Sequence, residues 1–499
     1  MAAIIVLDAG TGGAKCAVFD AVGRRRAAHR EAWLYTISEN ADFPFVKNFA
    51  FDPDVFWQAL CRCVRAAVAA SDLSADEVIG VVTTSQRQGC VFLGADGKEL
   101  YAGPNLDTRG FSEGIDVLNT LGGDRLYEIT GHSAPFIFPI ARYLWFRKHD
   151  PHQVAHLLMI NDWMTYRLSN VAAAEVSNAT ESMLFDLQQR TWSQEILDRF
   201  AIPASILPPV RQPGERIGAL TAAAAAATGL APGTPVFVGG ADTQCGLLGA
   251  GATDAGDIAA ILGTTTPVQA VVDHATFDPS ATLWAGCHVV PERWVVESNA
   301  GDTGDAYNWF VDLLVHERNG RYDAAEQLAA AHARGSTFTF AGPCIFDLTK
   351  MRHDKPGGIL FPFPAMHIRP PAGELLYSFL ESVAFAVRGN MEQLRSVTGH
   401  SPSRLIIGGG MSRNRLLVHL LADVTGLPVQ RADEPESAAL GAAMLVAVGA
   451  GHYPDLSSAA RAMSRHHMVE AKPVQVEAYA IKYAKWQELN DALDHASIG

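Results

Sequence analysis

The chain contains one local pattern twice, and this duplication limits the folds it can adopt. Residues 4–20 and residues 258–273 each read as a β-branched apolar run, a turn of glycine and threonine, and a second apolar run. That pattern is typical of a β-hairpin whose tip presents backbone N–H groups and hydroxyls. Such a tip suits an anion, above all a phosphate. Two such hairpins predict two related domains that close on one nucleotide.

The length and composition of the chain exclude several classes of protein. With 499 residues it is too long for one hydrophobic core, so two or more domains are expected. Its formal net charge is -14 and it has no strongly basic block, which argues against a nucleic-acid partner. No run of about 18 apolar residues and no secretory signal is visible, so a cytoplasmic protein without a membrane span is expected. The seven scattered cysteines favour reduced thiols over a metal site.

Strand and helix patterns alternate along the chain, which argues for mixed α/β domains. Helices are expected over 53–71, 374–398 and 471–493, and strand patterns over 235–240 and 287–297. The proline-rich stretch 337–371 is expected to be a functional loop region. The chain divides most naturally between Gly240 and Gly256, which gives domains 1–245 and 246–499.

A series of short motifs follows these elements in a fixed order. They are Asp8-x-Gly10-Thr11 with Lys15, Gly239-Gly240-Ala241-Asp242, Gly263-Thr264-Thr265-Thr266, Gly408-Gly409-Gly410-x-Ser412-x-Asn414, and EPESAALGAA at 434–443. Together they resemble the FGGY family of carbohydrate kinases, which belongs to the actin, hexokinase and Hsp70 class of ATPase folds. The resemblance covers nearly the whole chain. It implies an α/β fold of two actin/hexokinase-like (ribonuclease H-like) domains with an ATP cleft between them.

The resemblance identifies Asp242 as the catalytic residue. In such a kinase a sugar hydroxyl attacks the γ-phosphoryl group of ATP, and an alcohol attacks poorly unless a base accepts its proton. Asp242 follows an apolar strand and two glycines, so its carboxylate is expected at a strand end beside a cleft. The alternative is a helix N-cap, since helical residues follow and Asp is a favoured cap.

The same resemblance assigns ATP and Mg²⁺ to residues from both halves of the chain. Asp8 is expected to hold the magnesium through water, with Asp242 also near the metal, because hard cations prefer carboxylates and retain waters. The alternatives are ordinary hairpin turns, a structural Asp8, a solvent-facing Lys15 and a surface Asn414. Ala438, Ala439 and Gly441 are expected to pack a helix tightly near the nucleotide. The expected ATP-binding residues are Asp8, Gly10, Thr11, Lys15, Gly263, Thr264, Thr265, Gly409, Gly410 and Asn414.

Two motifs of the first half correspond to the sugar site of the family. The first, Ser85-Gln86-Arg87-Gln88-Gly89, has an arginine as glycerol kinases do, but Gln88 where xylulokinases carry histidine. The second, Asn105-Leu106-Asp107-Thr108-Arg109, keeps the aspartate and arginine of the xylulokinase motif but lacks its tryptophan. Autoinducer kinases have a similar pattern. The expected substrate-binding residues are Arg87, Gln88, Asp107, Asp242 and Thr243.

The polar groups of these motifs fit a neutral polyol, because the motifs contain no cluster of basic residues that would bind an acidic substrate. Arg87 has a structural ion pair as its alternative role. Trp163 and Phe138 could line the pocket, although core packing is favoured for each.

Three hypotheses for the function follow from the sequence. The main one is ATP-dependent phosphorylation of a ketopentose such as D-xylulose. The second is a kinase of another small polyol or linear polyhydroxy ketone, as in the autoinducer kinases. The third is a non-catalytic, sugar-responsive binding protein. The oligomeric state stays open at this point, with a homodimer as one candidate because homodimers are common among similar proteins.

Overall fold

The first half of the chain is built around a mixed sheet. The computed structural model describes residues 2–40, 43, 46–73, 77–317, 319–332, 335–347, 350, 354–362 and 369–497. The elements of the first half are β1 (Ala3–Gly10), β2 (Gly13–Asp20), β3 (Arg25–Ala32), β4 (Thr36–Glu39), β5 (Lys47–Ala50), α1 (Pro53–Ala69), β6 (Val78–Ser85), β7 (Cys90–Leu93), β8 (Glu99–Gly103), α2 (Phe111–Leu121), α3 (Gly123–Thr130), α4 (Pro139–His149), β9 (His156–Met159), α5 (Ile160–Ser169), β10 (Ala174–Glu175), α6 (Val176–Thr180), β11 (Phe185–Asp186), β12 (Thr191–Trp192), α7 (Gln194–Arg199), β13 (Val210–Arg211), β14 (Arg216–Ala219), α8 (Ala222–Thr228) and β15 (Pro235–Ala241). The main sheet has the order β14-β15-β6-β1-β2-β3.

The second half of the chain forms another mixed sheet. Its elements are β16 (Ile258–Ile261), β17 (Thr265–Val272), β18 (Trp284–Cys287), β19 (Trp294–Asp302), α10 (Gly304–Leu314), α11 (Arg321–Ala330), β20 (Phe338–Phe340), β21 (Gly358–Leu360), α12 (Ala372–Thr398), β22 (Leu405–Gly408), α13 (Arg415–Thr425), β23 (Val429–Ala432), α14 (Ser437–Gly449), α15 (Leu456–Met463), β24 (His466–Val469) and α16 (Pro473–Asp494). This sheet has the order β18-β19-β17-β16-β22-β23-β24. Helix α9 (Asp242–Ala250) directly follows β15 and is counted with the first half.

The two sheets share one topology. The order β3-β2-β1-β6-β15 in the first corresponds to β19-β17-β16-β22-β23 in the second. In both, an antiparallel hairpin comes first, a further strand pairs in parallel with the first strand of that hairpin, and the last strand pairs in parallel with this further strand. Both predicted hairpins are present, and the structure confirms the duplication that the sequence predicts.

The two halves are tied together because each covers a sheet of the other with a helix. Helix α14 of the second half packs its apolar residues on Ile4, Val6 and Phe19 of the first sheet. Helix α9 places Leu247 and Ala250 on the second sheet. Burial of these apolar surfaces stabilises the joined halves more than either half alone. The division proposed between residues 245 and 246 falls inside α9.

Helices α9 and α14 cross at very short distance, as the small residues of α14 predict. A Cβ atom added to Gly441 would lie 1.9 Å from the carbonyl oxygen of Cys245, and one added to Gly249 would lie 1.9 Å from that of Ser437. Neither contact is sterically possible, so glycine is required at both positions.

Two regions differ from the sequence expectation or lie partly outside the structure. The strand pattern over 287–297 is divided between β18 and β19, because Pro291 has no N–H to donate and Glu292 adopts a positive φ of 53°. The stretch 337–371 contains β20 and β21, while residues 348–349, 351–353 and 363–368 lie outside the described residues. Among the described helices, none combines the length and apolar character needed to cross a membrane.

We predict that Gly441→Ala destabilises the protein by about 1 to 3 kcal/mol, because the added methyl group forces the α9 and α14 backbones apart. Thermal melting measures the loss. The control is Gly218→Ala, whose added methyl meets nearest atoms at 3.7 and 3.8 Å, an ordinary contact. Equal melting temperatures for the two variants would contradict the close crossing of the helices.

Candidate active site

The tip of the first hairpin is held by side chains of its own half. The Thr11 carbonyl oxygen accepts hydrogen bonds from Tyr35 Oη at 2.6 Å and Trp33 Nε1 at 3.3 Å. Asn105 Nδ2 donates to Thr11 Oγ1 at 3.1 Å, which joins the second sugar motif to the tip. A Cβ atom added to Gly12 would meet no atom within 4 Å, so the space beside the tip is open.

Asp8 and Lys15 face each other across this hairpin. Lys15 Nζ lies 3.7 Å from Asp8 Oδ2 and 3.0 Å from Glu436 Oε2, so it links the hairpin to the EPES motif of the second half. Burial raises the pKa of Asp8 to about 6, with the nearby charge of Asp242 adding to the rise. Asp8 Oδ1 is buried and has no hydrogen-bond partner among the described residues.

Asp242 lies where β15 ends and α9 begins. Its Oδ1 accepts hydrogen bonds from the Thr243 N–H at 2.7 Å and from Thr243 Oγ1 at 3.2 Å, so the next residue holds one of its two oxygens. Ala241 occupies the N-cap position itself. Burial raises the pKa of Asp242, and the Arg87 guanidinium opposes that rise. Asp242 is therefore the first residue inside α9 and not its N-cap, and its Oδ2 is left for other contacts.

The second hairpin tip approaches the start of α10. The Thr264 carbonyl oxygen accepts from the N–H groups of Thr303 at 3.2 Å, Gly304 at 2.8 Å and Asp305 at 3.3 Å. The side chains of Thr264 and Thr265 are exposed. Those hydroxyls can therefore meet a ligand, as the sequence predicts.

The glycine motif after β22 passes close to the second hairpin. Gly409 has a φ of 89°, and a Cβ atom there would lie 2.6 Å from the carbonyl oxygen of Leu262. Gly410 faces open space. Asn414 is mostly buried, since its Oδ1 caps α13 by accepting from Leu417 N and its Nδ2 donates to Tyr307 Oη. The alternative of a surface Asn414 is therefore wrong, and its side chain organises the helix start.

Arg87 is clamped by glutamates from both halves of the chain. Its Nη1 and Nη2 donate to Glu297 at 2.6 and 2.7 Å, and Nη1 also donates to Glu181 at 3.1 Å. Gln88 and Gln269 complete the network by hydrogen bonds to Glu181 and Glu297 respectively. These side chains are almost fully buried. The ion pair that the sequence analysis gave as the alternative role of Arg87 is therefore present.

His132 closes one side of this network. Its Nε2 lies 3.7 Å from Glu181 Oε2, and its ring packs against Phe138 and Trp284. Burial lowers the pKa of His132 to about 4, so the imidazole is neutral at pH 7. Phe138 thus borders the network, whereas Trp163 is a core residue whose Nε1 donates to Glu99.

Asp107 is fully buried and supports the loop around it. Its Oδ2 accepts from Arg109 Nε at 2.6 Å and from Tyr101 Oη, and its Oδ1 accepts from Phe49 N at 2.9 Å. Its oxygens are thus occupied by the protein. The structure brings Arg87 close enough to Asp242 to oppose the rise in the pKa of that carboxyl, and it joins Gln88 to Arg87 through Glu181, but it gives Asp107 a supporting position.

Four members of the network were not predicted from the sequence, namely Glu181, Glu297, Gln269 and His132. The signal for Glu297 was a carboxylate within the apolar run WVVES of β19. A charged residue at a buried strand position is rare unless it is paired. Its partner could not be identified from the sequence because Arg87 lies in the other half of the chain.

Family models and solved structures match this architecture. The models of the FGGY family of carbohydrate kinases match residues 3–249 with the N-terminal domain and residues 258–450 with the C-terminal domain. An autoinducer-2 kinase of Klebsiella pneumoniae subsp. pneumoniae is 32% identical over 509 aligned residues, which cover 98% of this chain and 93% of that protein.

Two solved structures from Lactobacillus acidophilus have similar folds. A xylulose kinase superposes with a TM-score of 0.85 at 20% identity and covers 100% of this chain and 99% of its own. A gluconate kinase has a TM-score of 0.84 at 20% identity, with 99% of both chains covered. At this identity the likeness concerns the fold alone, and it confirms the expected two-domain architecture.

We predict that His132 makes the protein less stable as the pH falls from about 6.5 towards 4. The folded-state pKa of about 4 lies below the ordinary 6.5, so in this range the unfolded chain binds a proton that the folded chain does not. His132→Gln should remove up to about 3 kcal/mol of that acid sensitivity. Melting temperatures at pH 7.5 and pH 5 test this, with His274→Gln at an exposed histidine as control. Identical pH dependence of wild type and His132→Gln would contradict a buried neutral His132.

Proposed function

The chain belongs to the FGGY family of carbohydrate kinases, and from that premise we propose that it phosphorylates autoinducer-2 or a similar small neutral polyhydroxy ketone. Members of this family transfer a phosphoryl group from ATP to a sugar hydroxyl, so the protein is a phosphotransferase. The observation that carries the proposed acceptor class is the clamp of two glutamates on Arg87.

The charges around Arg87 favour a neutral acceptor. One guanidinium faces two carboxylates, and the neighbouring His132 is neutral at pH 7. A carboxylate on the acceptor would be repelled by both Glu181 and Glu297. The Nε–H of Arg87 and its second Nη2–H are not used by these glutamates, so they are available for hydroxyl or carbonyl oxygens.

Sequence similarity favours autoinducer-2 over D-xylulose. Identity to the autoinducer-2 kinase is 32% over nearly the whole chain, whereas the xylulose kinase matches at 20%. The first sugar motif, with Arg87 and Gln88, also departs from the xylulokinase pattern. D-Xylulose, the main hypothesis from the sequence, is therefore the second candidate. The sugar-responsive binder is disfavoured because a binder needs no buried carboxylate such as Asp242 at the cleft.

We assign the base role to Asp242. Thr243 holds one of its oxygens and so fixes the carboxylate, while Oδ2 accepts the proton of the attacking hydroxyl. Its raised pKa makes it a stronger base than a solvent-exposed aspartate. Arg87 orients the acceptor, and closure of the cleft excludes water from it.

The residues present fit ATP and Mg²⁺. The unpartnered Asp8 Oδ1 and the neighbouring Asp242 offer two carboxylates, and Mg²⁺ is usually bound by one or two carboxylates together with phosphates and waters. When bound, Mg²⁺ would neutralise charge on the phosphates. The open tips at Thr11 and Thr264 would hold the phosphates, and the glycines at 409–410 would adjoin the adenosine. A homodimer stays one candidate for the oligomeric state.

Asp242→Asn should lower kcat by about a hundredfold or more, which is the usual contribution of a general base. The variant should melt at or above the wild-type temperature, because burial disfavours the charge that it removes. A coupled ADP-release assay measures the rate, and Asp273→Asn, at an exposed strand end, is the control. A loss below about tenfold would contradict the base assignment.

An ADP-release screen with autoinducer-2, D-xylulose, glycerol and D-ribulose tests the acceptor. We expect the highest kcat/KM with autoinducer-2, because the Arg87 network leaves donors for a neutral carbonyl compound. A higher value with D-xylulose would restore the ketopentose hypothesis, and ADP release with none of the compounds would favour the binding protein.

A further inference from the structure

Three residues of the second half lie side by side across three strands. Gln269 of β17 and Trp284 of β18 are each the direct cross-strand partner of Glu297 in β19. Direct partners in an antiparallel pair project from the same face, with Cβ atoms about 5 Å apart. We call Gln269, Trp284 and Glu297 the cross-strand triad.

The triad lies on the sheet face that α9 covers. Leu247 of α9 packs in one apolar cluster with Val271 and Val295, and each of these valines is two residues from a member of the triad. Residues two apart in a strand share a face. Since Asp242 is the first residue of α9, the triad and the proposed base are on the same side of the sheet.

The first half of the chain meets the triad directly. Arg87 donates two hydrogen bonds to Glu297, and its guanidinium carbon lies 5.9 Å from the centre of a Trp284 ring. The rings of His132 and Phe138 lie 5.1 and 5.8 Å from that of Trp284. The triad therefore borders the Arg87 network to which the acceptor is assigned.

Two polar atoms of the triad have no partner. Within the part of the chain that the structure describes, the buried Trp284 Nε1 finds no acceptor and the buried Gln269 Oε1 finds no donor. A buried polar group without a partner destabilises a protein, so such groups are uncommon in folded proteins. One unused donor and one unused acceptor beside Arg87 fit a ligand that carries both kinds of group.

We propose that the cross-strand triad is the second-half wall of the acceptor site and selects a neutral hydroxy ketone. Trp284 Nε1 donates to the carbonyl oxygen, and Gln269 Oε1 accepts from a neighbouring hydroxyl. Glu297 is a positioning residue that fixes the Arg87 guanidinium. A carboxylate in the same place would face Glu297 and the Gln269 oxygen, both of which repel it. The inference rests on the proposed function, since it concerns the acceptor of that reaction.

Trp284→Phe tests the donor with little change in packing, because the ring is kept and the N–H is lost. We expect the KM for autoinducer-2 to rise about tenfold while the KM for ATP stays within twofold. The matched control is Trp294→Phe in β19. Trp294 also donates one hydrogen bond, to the Leu187 carbonyl oxygen at 3.2 Å. It is three residues from Glu297, so it projects from the other face of the sheet.

Gln269→Met provides a second variant of similar side-chain length, and it removes the Oε1 acceptor together with the Nε2 donor to Glu297. Thermal shifts on adding autoinducer-2 without nucleotide give a readout independent of turnover. We expect both variants to lose most of the acceptor-induced shift and to keep the shift induced by ATP with Mg²⁺.

The outcomes separate this inference from the proposed function. An active wild type whose acceptor KM and thermal shift are unchanged in both variants would overturn the role of the triad alone. So would parallel rises of both KM values, because these would indicate a structural role. A wild type that turns over none of the neutral acceptors would overturn the proposed function, and the triad proposal with it.

Discussion

The buried clamp on Arg87 is the interaction on which the proposed acceptor site depends. Its guanidinium belongs to the first half of the chain, Glu297 to the second, and Glu181 to the segment after α6. Breaking a buried ion pair by removing one partner typically destabilises a protein by 3–5 kcal/mol, because the other charge stays uncompensated. The clamp thus fixes the relative position of the two halves next to Asp242. It also neutralises the positive charge of Arg87 that would otherwise attract an acidic acceptor.

The exchange of helices α9 and α14 sets the geometry on the nucleotide side. Each helix follows the last parallel strand of its own sheet and covers the sheet of the other half. Asp242 begins α9, and the EPES motif that leads into α14 brings Glu436 to Lys15. The close crossing at Gly249 and Gly441 therefore controls where Asp242 and the first hairpin lie relative to each other. In the proposed reaction, the two substrates bind between this crossing and the charged clamp on Arg87.

Much of the fold could be predicted from the sequence because its signals are local. About ten consecutive residues are enough to predict each of three features: the duplicated hairpins, the close-packed helix at Gly441 and the strand-to-helix transition at Asp242. The family resemblance rests on such segments as well, and the comparisons confirm the family and the two-domain fold.

The acceptor site could be predicted only in part because its contacts join distant segments. Arg87 and Gln88 were found, but Glu181 and Glu297 were not, since nothing near them in the sequence indicates their partner. Asp107 illustrates the opposite case. Its motif indicates a sugar ligand, whereas its oxygens are occupied by Arg109, Tyr101 and Phe49. Burial and hydrogen-bond partners are tertiary properties, and they decide which polar residues are left for a ligand.

Calorimetric titration of the wild-type protein without nucleotide tests the central claim most directly. It compares autoinducer-2, a neutral acceptor, with D-xylonate, a small polyol that carries a carboxylate. Because both glutamates already neutralise Arg87, we predict that autoinducer-2 binds at least about tenfold more tightly, a difference of about 1.4 kcal/mol. Equal or tighter binding of D-xylonate would contradict the account, since it would mean that the charge of Arg87 is free to bind an acid.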